Sequence, residues 1–357
     1  MNKLGLYVHI PFCTSKCPYC DFYSVKYSCS YAEKYMNAII RNIENYDETY
    51  DTVYFGGGTP ILLWREICTV MGKIKLSPNA EVTIEANPCV TTKEALCSLK
   101  SSNVNRISFG VQSLNNNELT ALGRRHSAET AINAVRLAKN CGFDDISADL
   151  MLAVPCQTKE SLIKSIDGLA ELPLTHISAY LLKIEENTPF YNRQLDLPNE
   201  DEVAEMYLAA VQRLADNGFA QYEISNFARG GRTCKHNLKY WKCEEYIGIG
   251  PAAHSYYNGK RFAVPRDIDG FINSPVQLTT ITDEQPHTFE EYAMLKLRLT
   301  EGLTFSECEK FGISKSTMEK RVKLIPKEYI ETDDRKISLT AQGFLVSNLI
   351  ISKLIGY

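Results

Sequence analysis

Three cysteines close to the start of the chain, Cys13, Cys17 and Cys20, are separated by three and two residues. They follow an apolar run at residues 4–10, so their thiolates would lie together on one short loop after a predicted strand. Closely spaced thiolates hold iron–sulfur clusters, and three ligands leave one iron of a 4Fe–4S cluster open. Position 22, where a further cysteine would complete a different pattern, is Phe22. The triplet therefore predicts a 4Fe–4S cluster with one open iron.

Two other interpretations of the triplet stay open at this point. The segment from Cys17 to Cys20 (CPYC) is by itself a dithiol redox motif, but such motifs open a helix and residues 21–30 have no helical periodicity. A zinc site would need a fourth ligand, and His9 lies far back on the predicted strand. The other nine cysteines, Cys97 and Cys141 among them, stand singly in apolar patterns that are typical of buried thiols.

The elements that must position this loop are six β-branched, apolar runs in the first 220 residues, with helical patterns after them. The predicted strands are residues 4–10, 52–55, 81–86, 106–111, 145–151 and 176–182. Ser127 is the expected N-cap of one helix and Gly142 its expected end. Six consecutive β–α units imply an α/β fold with a parallel sheet. Both a doubly wound sheet and a closed barrel fit.

Unusual residues follow these strands at their carboxyl ends, where ligands gather in both architectures. Cys13 follows the first strand and a glycine-rich run at 56–60 (GGGTP) follows the second. Glu85 closes the third strand, Gln112 follows the fourth, and Asp149 lies near the end of the fifth. The glycine run lacks the Lys-Ser/Thr ending of a phosphate loop and by itself is also compatible with a tight turn. The convergence predicts a single site.

Composition excludes several classes of protein. The chain has 39 lysines and arginines against 43 aspartates and glutamates, a net charge of −4, which argues against a nucleic-acid partner. Its longest apolar runs, such as residues 344–351, fall short of the roughly 18 residues that span a bilayer. The first dozen residues do not resemble a signal peptide. We therefore expect a cytoplasmic protein that associates with membranes only through a partner.

Eight motifs make the resemblance to a known family specific. They are YVHIPFCTSKCPYCDF, FGGGTP, TIEANP, RISFGVQS, LGRRH, YEISNFA, HNLKYW and GIGPAAHS. In this order they resemble one branch of the radical S-adenosylmethionine (SAM) superfamily, over nearly the whole chain. That branch holds the oxygen-independent coproporphyrinogen III dehydrogenases and the HemW-type haem chaperones. The resemblance implies a radical SAM partial TIM barrel, (β/α)6.

The resemblance also implies a role for each matching residue. Cys13, Cys17 and Cys20 would ligate the cluster, whose open iron would take the amino and carboxylate groups of SAM. The residues expected to bind SAM or lie beside it are Tyr7, Tyr19, Gly57, Gly58, Thr59, Glu85, Gln112, Arg124 and Asp149. Among these, a carboxylate suits a ribose diol and a guanidinium suits a carboxylate. Gln112, Arg124 and Asp149 match positions that complete the site or, in the dehydrogenases, contact a second SAM.

One run departs from the family pattern. Relatives usually have Gly-Leu-Pro-Gly-Gln shortly after the aspartate that matches Asp149, whereas this chain has Ala153 and Cys156 in place of the two glycines. The backbone conformation after Asp149 is therefore expected to differ from that of relatives.

Three features favour the chaperones over the dehydrogenases. Phe22 replaces the additional cysteine of the dehydrogenases, and only twelve residues precede Cys13 where they have a long arm. His236 begins an HNxxYW motif, which the resemblance connects with haem binding, and Cys234 is an alternative ligand. In a purely structural alternative, His236 and Trp241 fasten an irregular segment to the barrel. We expect a chaperone that transfers haem to a haemoprotein, with the dehydrogenase activity as the alternative.

Three domains are expected: the barrel core at 1–222, an irregular segment with the HNxxYW motif at 223–285, and a mostly helical, winged-helix-like accessory domain at 286–357. Within the third, residues 304–325 resemble a helix–turn–helix with Gly312 at the turn. Residues 304–336 hold eight basic and seven acidic side chains. A DNA-reading surface is far more basic, so this domain is expected to contact protein.

Overall fold

The computed structural model describes residues 4–357. Its strands are β1 Leu4–Ile10, β2 Phe12–Cys13, β3 Val25–Lys26, β4 Thr49–Gly57, β5 Lys75–Ala86, β6 Arg106–Gln112, β7 Asp145–Leu152, β8 His176–Leu181, β9 Ala220–Glu223, β10 Asn226–Ala228, β11 Tyr246–Ile249, β12 His254–Tyr257, β13 Lys260–Ala263, β14 Thr280–Asp283, β15 Leu303–Thr304, β16 Ile330–Thr332 and β17 Lys336–Leu339. The helices are α1 Cys29–Glu44, α2 Trp64–Met71, α3 Lys93–Ser101, α4 Asn116–Ala121, α5 Ala128–Asn140, α6 Lys159–Ala170, α7 Glu200–Asp216, α8 Lys235–Trp241, α9 Ile268–Asn273, α10 Phe289–Lys296, α11 Phe305–Lys310, α12 Lys315–Val322, α13 Ala341–Leu345 and α14 Ser347–Ile355.

The order of the strands decides between the two architectures that the sequence left open. The main sheet runs β14-β13-β12-β11-β1-β4-β5-β6-β7-β8-β10-β9, and β11, β1 and β4 to β8 are parallel. The six predicted strands correspond to β1 and β4–β8, and they are neighbours in chain order. A doubly wound sheet would reverse its order at a switch point. The fold is therefore the predicted partial barrel, in which β14 and β9 are the ends of the sheet.

Local signals along the barrel are confirmed. The Ser127 hydroxyl accepts the backbone N–H of Thr130 and so caps α5, and Gly142 just beyond that helix has a φ of +90°. In α1, the apolar residues Tyr35, Met36, Ile39 and Ile43 recur at helical spacing and are buried in the core. These elements form where expected because capping and helical periodicity act within one or two turns.

The prediction that residues 223–285 form an irregular segment is wrong. This segment contains β10 to β14, α8 and α9, and β11 joins the barrel as the parallel neighbour of β1. In β11, Ile247 and Ile249 are fully buried. The strands are only three or four residues long, so no alternation is long enough to detect in the sequence.

Two non-glycine residues hold a backbone conformation that favours glycine. Ala153 has a φ of +57° and Cys156 a φ of +65°, in the turn between β7 and α6. These left-handed conformations stand at the two positions where relatives usually have glycine, and the expected difference from the backbone of relatives stays a prediction. A side chain in that region costs roughly 1–2 kcal/mol because its Cβ crowds the following carbonyl oxygen.

We expect Cys156→Gly to raise the free energy of unfolding by about 1 kcal/mol, because the Cβ strain disappears. Cys156 is exposed, so the loss of its thiol removes little packing. Cys89→Gly is the matched control, since Cys89 is also exposed but has no left-handed φ. Denaturant unfolding of the apo protein would measure the free energy of unfolding of both variants. An equal decrease in both would show that the backbone at Cys156 is not strained.

The C-terminal part has the element order α10, β15, α11, α12, β16, β17, followed by α13 and α14. The strands form a separate antiparallel sheet in the order β15-β17-β16. A helix, a strand, two helices and a two-stranded wing in this order are a winged-helix arrangement, and Gly312 stands between α11 and α12 with a φ of +78°. The element order agrees with the predicted winged-helix-like character, which stays a prediction, as do the boundaries of the three domains. Between residues 4 and 357, no helix is both long and apolar enough to cross a membrane.

Candidate functional site

A cavity lies at the carboxyl ends of the barrel strands, and the cysteine loop after β1 forms one of its walls. Most of the sequence-predicted site residues line it together: Cys13, Cys17, Tyr19, Cys20, Gly57, Gly58, Thr59, Glu85, Gln112, Arg124 and Asp149. Two predicted residues do not line it, Tyr7 and His236. Side chains that are up to 136 positions apart thus meet in one place because parallel strands present their carboxyl ends at the same edge.

The surroundings of the three thiols fit thiolate ligands. The hydroxyl of Thr59 donates to Cys13 Sγ at 3.6 Å, and Nη1 of Arg124 lies 3.4 Å from Cys17 Sγ. Burial raises the pKa of the Cys13 and Cys20 thiols, so both are protonated until a metal displaces the protons. A hydroxyl donor and a guanidinium beside the sulfurs stabilise the negative charge that a bound cluster brings.

The sulfurs do not form a site for one metal ion. Among residues 4–357, no three His, Cys, Asp or Glu side chains are arranged to hold a single ion. A 4Fe–4S cluster requires a wider arrangement, because each of its thiolates binds a different iron.

The glycine-rich run after β4 holds the base of the cysteine loop. Backbone N–H groups of Gly58 and Thr59 donate to the carbonyl oxygens of Ile10 and Phe12, both at 2.8 Å. A Cβ on Gly58 would lie 2.8 Å from the Phe12 carbonyl oxygen and equally close to Pro11. Glycine is therefore required here for the packing of one loop on the other, in addition to the predicted approach of a ligand.

His9 connects the barrel interior to the cysteine loop. Its Nε2 lies 2.9 Å from the Tyr23 carbonyl oxygen, which only accepts, so Nε2 carries the hydrogen. Nδ1 then accepts the Tyr7 hydroxyl at 3.0 Å. Burial lowers the pKa of His9 to about 4, so the ring is neutral. A Cβ on Gly57 would come within 2.5 Å of this ring. From the sequence, His9 was considered only as a fourth ligand of a zinc site, and its positioning role was not predicted.

We expect His9→Ala to bind a cluster that is lost several-fold faster under a chelator, because the loop at Tyr23 is no longer fastened to the barrel. Iron content and absorbance would be followed over time after anaerobic reconstitution. His9→Gln, which keeps a donor, should recover part of the retention, whereas the exposed His254→Ala should behave like the unaltered protein. If His9→Ala retains its iron as long as the unaltered protein, the cysteine loop does not depend on the hydrogen bond of His9.

Two carboxylates face the cavity from β5 and β7, the strands on either side of β6. Glu85 accepts the Tyr54 hydroxyl at 2.8 Å and the Gly57 backbone N–H at 3.1 Å. Burial, and then the charge of Asp149, raise the pKa of Glu85 to about 7. Burial also raises the pKa of Asp149, which accepts the Ser108 hydroxyl at 3.2 Å. The pair is therefore ready to accept hydrogen bonds from a ligand with hydroxyl groups.

Arg124 and Gln112 line the same cavity. Nη2 of Arg124 donates to the Gly110 carbonyl at 2.7 Å, and its buried Nε has no hydrogen-bond partner among the described residues. Gln112 has a φ of +71°, and its Oε1 accepts the Tyr180 hydroxyl at 2.9 Å. A guanidinium with an unused donor suits an anionic group of a ligand.

Three residues that orient the site were missed in the sequence. They are Tyr54, Ser108 and Tyr180, which contact Glu85, Asp149 and Gln112 as described above. Each lies on a predicted strand, and Tyr54 and Ser108 stand two positions before Gly56 and Gly110, on the same face of their strands. Period-two alternation counted back from the carboxyl ends would have found those two.

His236 lies on helix α8. The prediction that the HNxxYW motif belongs to an irregular segment is therefore wrong for this residue. The carboxylate of Glu81 accepts the backbone N–H groups of Lys235 and His236, both at 3.0 Å, and so caps the helix. Glu81 stands four residues before Glu85, so α8 enters the barrel from the end opposite to the cysteine loop. The HNxxYW motif therefore closes the amino-terminal end of the barrel.

The His236 ring is enclosed within the barrel. Its Nδ1 lies 2.9 Å from the Thr52 hydroxyl and its Nε2 lies 2.8 Å from the Tyr240 hydroxyl. The ring is fully buried and stacks on Tyr54 with a centroid distance of 5.3 Å. The Tyr54 hydroxyl in turn donates to Glu85, so α8 supports the cavity from the amino-terminal side of the barrel. The role of His236 as a haem ligand stays a prediction, and it requires at least one ring nitrogen to leave its partner.

Comparisons with known proteins agree with this geometry. Residues 7–169 match the model of the radical SAM superfamily. The chain is 34% identical over 365 residues to the "Heme chaperone HemW" of Lactococcus lactis subsp. lactis (strain IL1403), covering 98% of this chain and 96% of the relative. It is 35% identical to the protein of the same name from Bacillus subtilis (strain 168), covering 98% of each. The chain belongs to the HemW family.

A solved structure supports the fold of this HemW-family chain. The coproporphyrinogen III oxidase HemN from Escherichia coli, a radical SAM enzyme, superposes with a TM-score of 0.83 and covers all of this chain and 91% of that one. Its sequence identity is 20%, so the likeness concerns the fold. The match to the radical SAM superfamily implies a 4Fe–4S cluster and SAM as cofactors.

Proposed function

We propose that the chain binds a 4Fe–4S cluster through Cys13, Cys17 and Cys20, binds SAM beside it, and carries haem to a haemoprotein. The single observation that supports this most is the shared cavity, in which three thiols face carboxylates and a guanidinium from other strands. The haem part is supported by the printed name of the relatives.

In this proposal each part of the cavity has a separate task. The cluster, when bound, supplies an open iron for the amino and carboxylate groups of SAM. Glu85 accepts the ribose hydroxyls, and Arg124 balances the charge of the sulfurs and of the carboxylate. Thr59 stands beside the cysteine loop, and Tyr19 is part of it, with its hydroxyl 3.4 Å from Nη1 of Arg124. His9 and Gly58 keep the cysteine loop in place.

Haem iron needs a protein ligand, and in this conformation the two candidates at the HNxxYW motif, His236 and Cys234, are buried and in contact with other groups. Cys234, the alternative ligand, is buried with its Sγ 3.7 Å from a Glu81 oxygen, and burial raises the pKa of its thiol to about 12. We propose that α8 moves out of the barrel when His236 binds the iron. Such a movement would also release Tyr54 and hence Glu85, which would connect haem binding with the SAM cavity.

Haem titration of the reconstituted protein, followed by absorbance, tests this proposal. We expect the unaltered protein to bind haem, His236→Ala to bind it several-fold more weakly, and Cys234→Ala to bind it normally. Because His236 also supports Tyr54, we expect His236→Ala to weaken SAM binding as well. Thermal unfolding of each variant separates a lost ligand from a disturbed barrel. No haem binding by the unaltered protein would refute the chaperone function.

A second candidate function is oxidative decarboxylation of coproporphyrinogen III. The fold of the Escherichia coli HemN structure favours it, whereas Phe22 argues against it, since the side chain is 65% exposed at the mouth of the cavity where the dehydrogenases have a cysteine. We expect no protoporphyrinogen to form under reducing conditions with SAM present. Product above trace turnover would favour the dehydrogenase over the chaperone.

A further inference from the structure

Two cysteines that are 44 residues apart meet on the outer side of the barrel. Cys97 lies in α3, and Cys141 directly follows the last residue of α5. Their sulfurs are 2.8 Å apart. The interpretation of both as single buried thiols is therefore incomplete, because the packing of α3 beside α5 forms a pair that no sequence spacing indicates.

The pair stands apart from the cluster site. Neither sulfur lines the cavity that holds Cys13, Cys17 and Cys20. Both thiols are partly exposed, and Cys97 borders a shallow surface groove that Trp64 and Cys68 also line. A small molecule can therefore reach Cys97 without entering the barrel.

We propose that Cys97 and Cys141 are an oxidisable dithiol, which forms a reversible disulfide by exchange with a low-molecular-weight disulfide such as glutathione disulfide. The sulfurs need to approach by less than 1 Å to reach the bond length of about 2.05 Å. Neither thiol has a role in the proposed haem or SAM chemistry, so this modification goes beyond the proposed function.

The exchange proceeds in two balanced steps. The Cys97 thiolate attacks one sulfur of glutathione disulfide, which forms a mixed disulfide and releases one glutathione thiolate. The sulfur of Cys141 then attacks the Cys97 sulfur of that mixed disulfide, loses its proton to solvent and releases the second glutathione. The protein loses two electrons, and the glutathione disulfide gains them.

The surroundings set the order of the two steps. Burial, and then the neighbouring Cys97 sulfur, raise the pKa of Cys141 to about 11, so few molecules hold its thiolate at neutral pH. Cys97 faces the groove, in which the glutathione part of the mixed disulfide can be accommodated. Cys141 then acts as the resolving thiol from within contact distance.

The disulfide would close a loop that spans one complete part of the barrel. Between Cys97 and Cys141 lie β6, α4 and α5, together with the cavity residues Gln112 and Arg124. A covalent link of this length reduces the entropy of the unfolded chain. We expect the unfolding midpoint of the oxidised protein to rise by about 5 °C.

The test uses the reconstituted protein, kept anaerobic, in buffers with increasing ratios of oxidised to reduced glutathione. After acid quenching and alkylation, trypsin would release Cys97 in residues 94–100 and Cys141 in residues 140–159. The second peptide also holds Cys156, so the experiment is done with Cys156→Ser as the background. We expect the linked mass of these two peptides to appear in most molecules and to disappear under dithiothreitol.

Matched variants show whether the pair is specific. Cys97→Ser and Cys141→Ser should each abolish the linked peptide and the rise in the unfolding midpoint. Cys68→Ser, which changes the other thiol of the groove, should leave both unchanged. Iron content before and after oxidation shows whether the cluster stays intact. The proposal is overturned if no linked peptide forms in the folded protein, if Cys97 links to Cys68 instead, or if the link forms only in urea.

Discussion

Replacement of Cys17 by alanine is expected to abolish cluster binding, with iron and sulfide falling close to zero and the broad absorbance near about 400 nm lost. A site with three thiolates has no spare ligand, and Cys17 is the one whose sulfur contacts Arg124. Cys13→Ala and Cys20→Ala should behave in the same way. Anaerobic reconstitution followed by iron and sulfide assays would measure all three variants.

Cys29→Ala and Cys243→Ala are the matched controls for this result. Neither thiol lines the cavity, and each variant removes one thiol from the same total of 12. Both should retain iron at the level of the unaltered protein. Iron at that level in Cys17→Ala would mean that the cluster is held by other residues, and the assignment of the loop would then be wrong.

Glu85→Ala is expected to weaken SAM binding by roughly 5- to 150-fold, which corresponds to about 1–3 kcal/mol for hydroxyls that lose their acceptor. The change also frees the Tyr54 hydroxyl and the Gly57 N–H, both of which Glu85 holds. Calorimetric titration of the reconstituted protein with SAM would measure the effect. Glu129→Ala is the control, since Glu129 is exposed on α5. Equal affinities in both variants would place the ribose elsewhere.

The same carboxylate predicts a dependence on pH. In the ligand-free protein the pKa of Glu85 is raised to about 7, so the ionised form that accepts best is present above that pH. SAM affinity should therefore fall as pH decreases below 7, by up to about tenfold per pH unit. For stability the sign is opposite: between the unfolded value of 4.5 and 7 the folded state binds more protons, so this contribution is lost as pH rises. Glu85→Gln should flatten both dependences.

Much of the fold and part of the site follow from short-range information in the sequence. The six barrel strands, the cap of α5 and the thiol spacing all depend on residues within a few positions of one another. Glu85, Gln112 and Asp149 were predicted to converge because parallel strands bring their carboxyl ends to one edge, whichever way the sheet is wound. The structure places these three residues in the cavity with the cysteines.

What the sequence alone determined is therefore the spacing of the three thiols on the cysteine loop and the edge of the sheet at which that loop lies. Only the tertiary structure decided how distant segments meet. It ordered the strands as a partial barrel, placed His236 in its closed end, and brought Cys97 against Cys141. The physical reason is that these contacts depend on burial and packing between elements that are far apart in the chain, and no local period records such contacts.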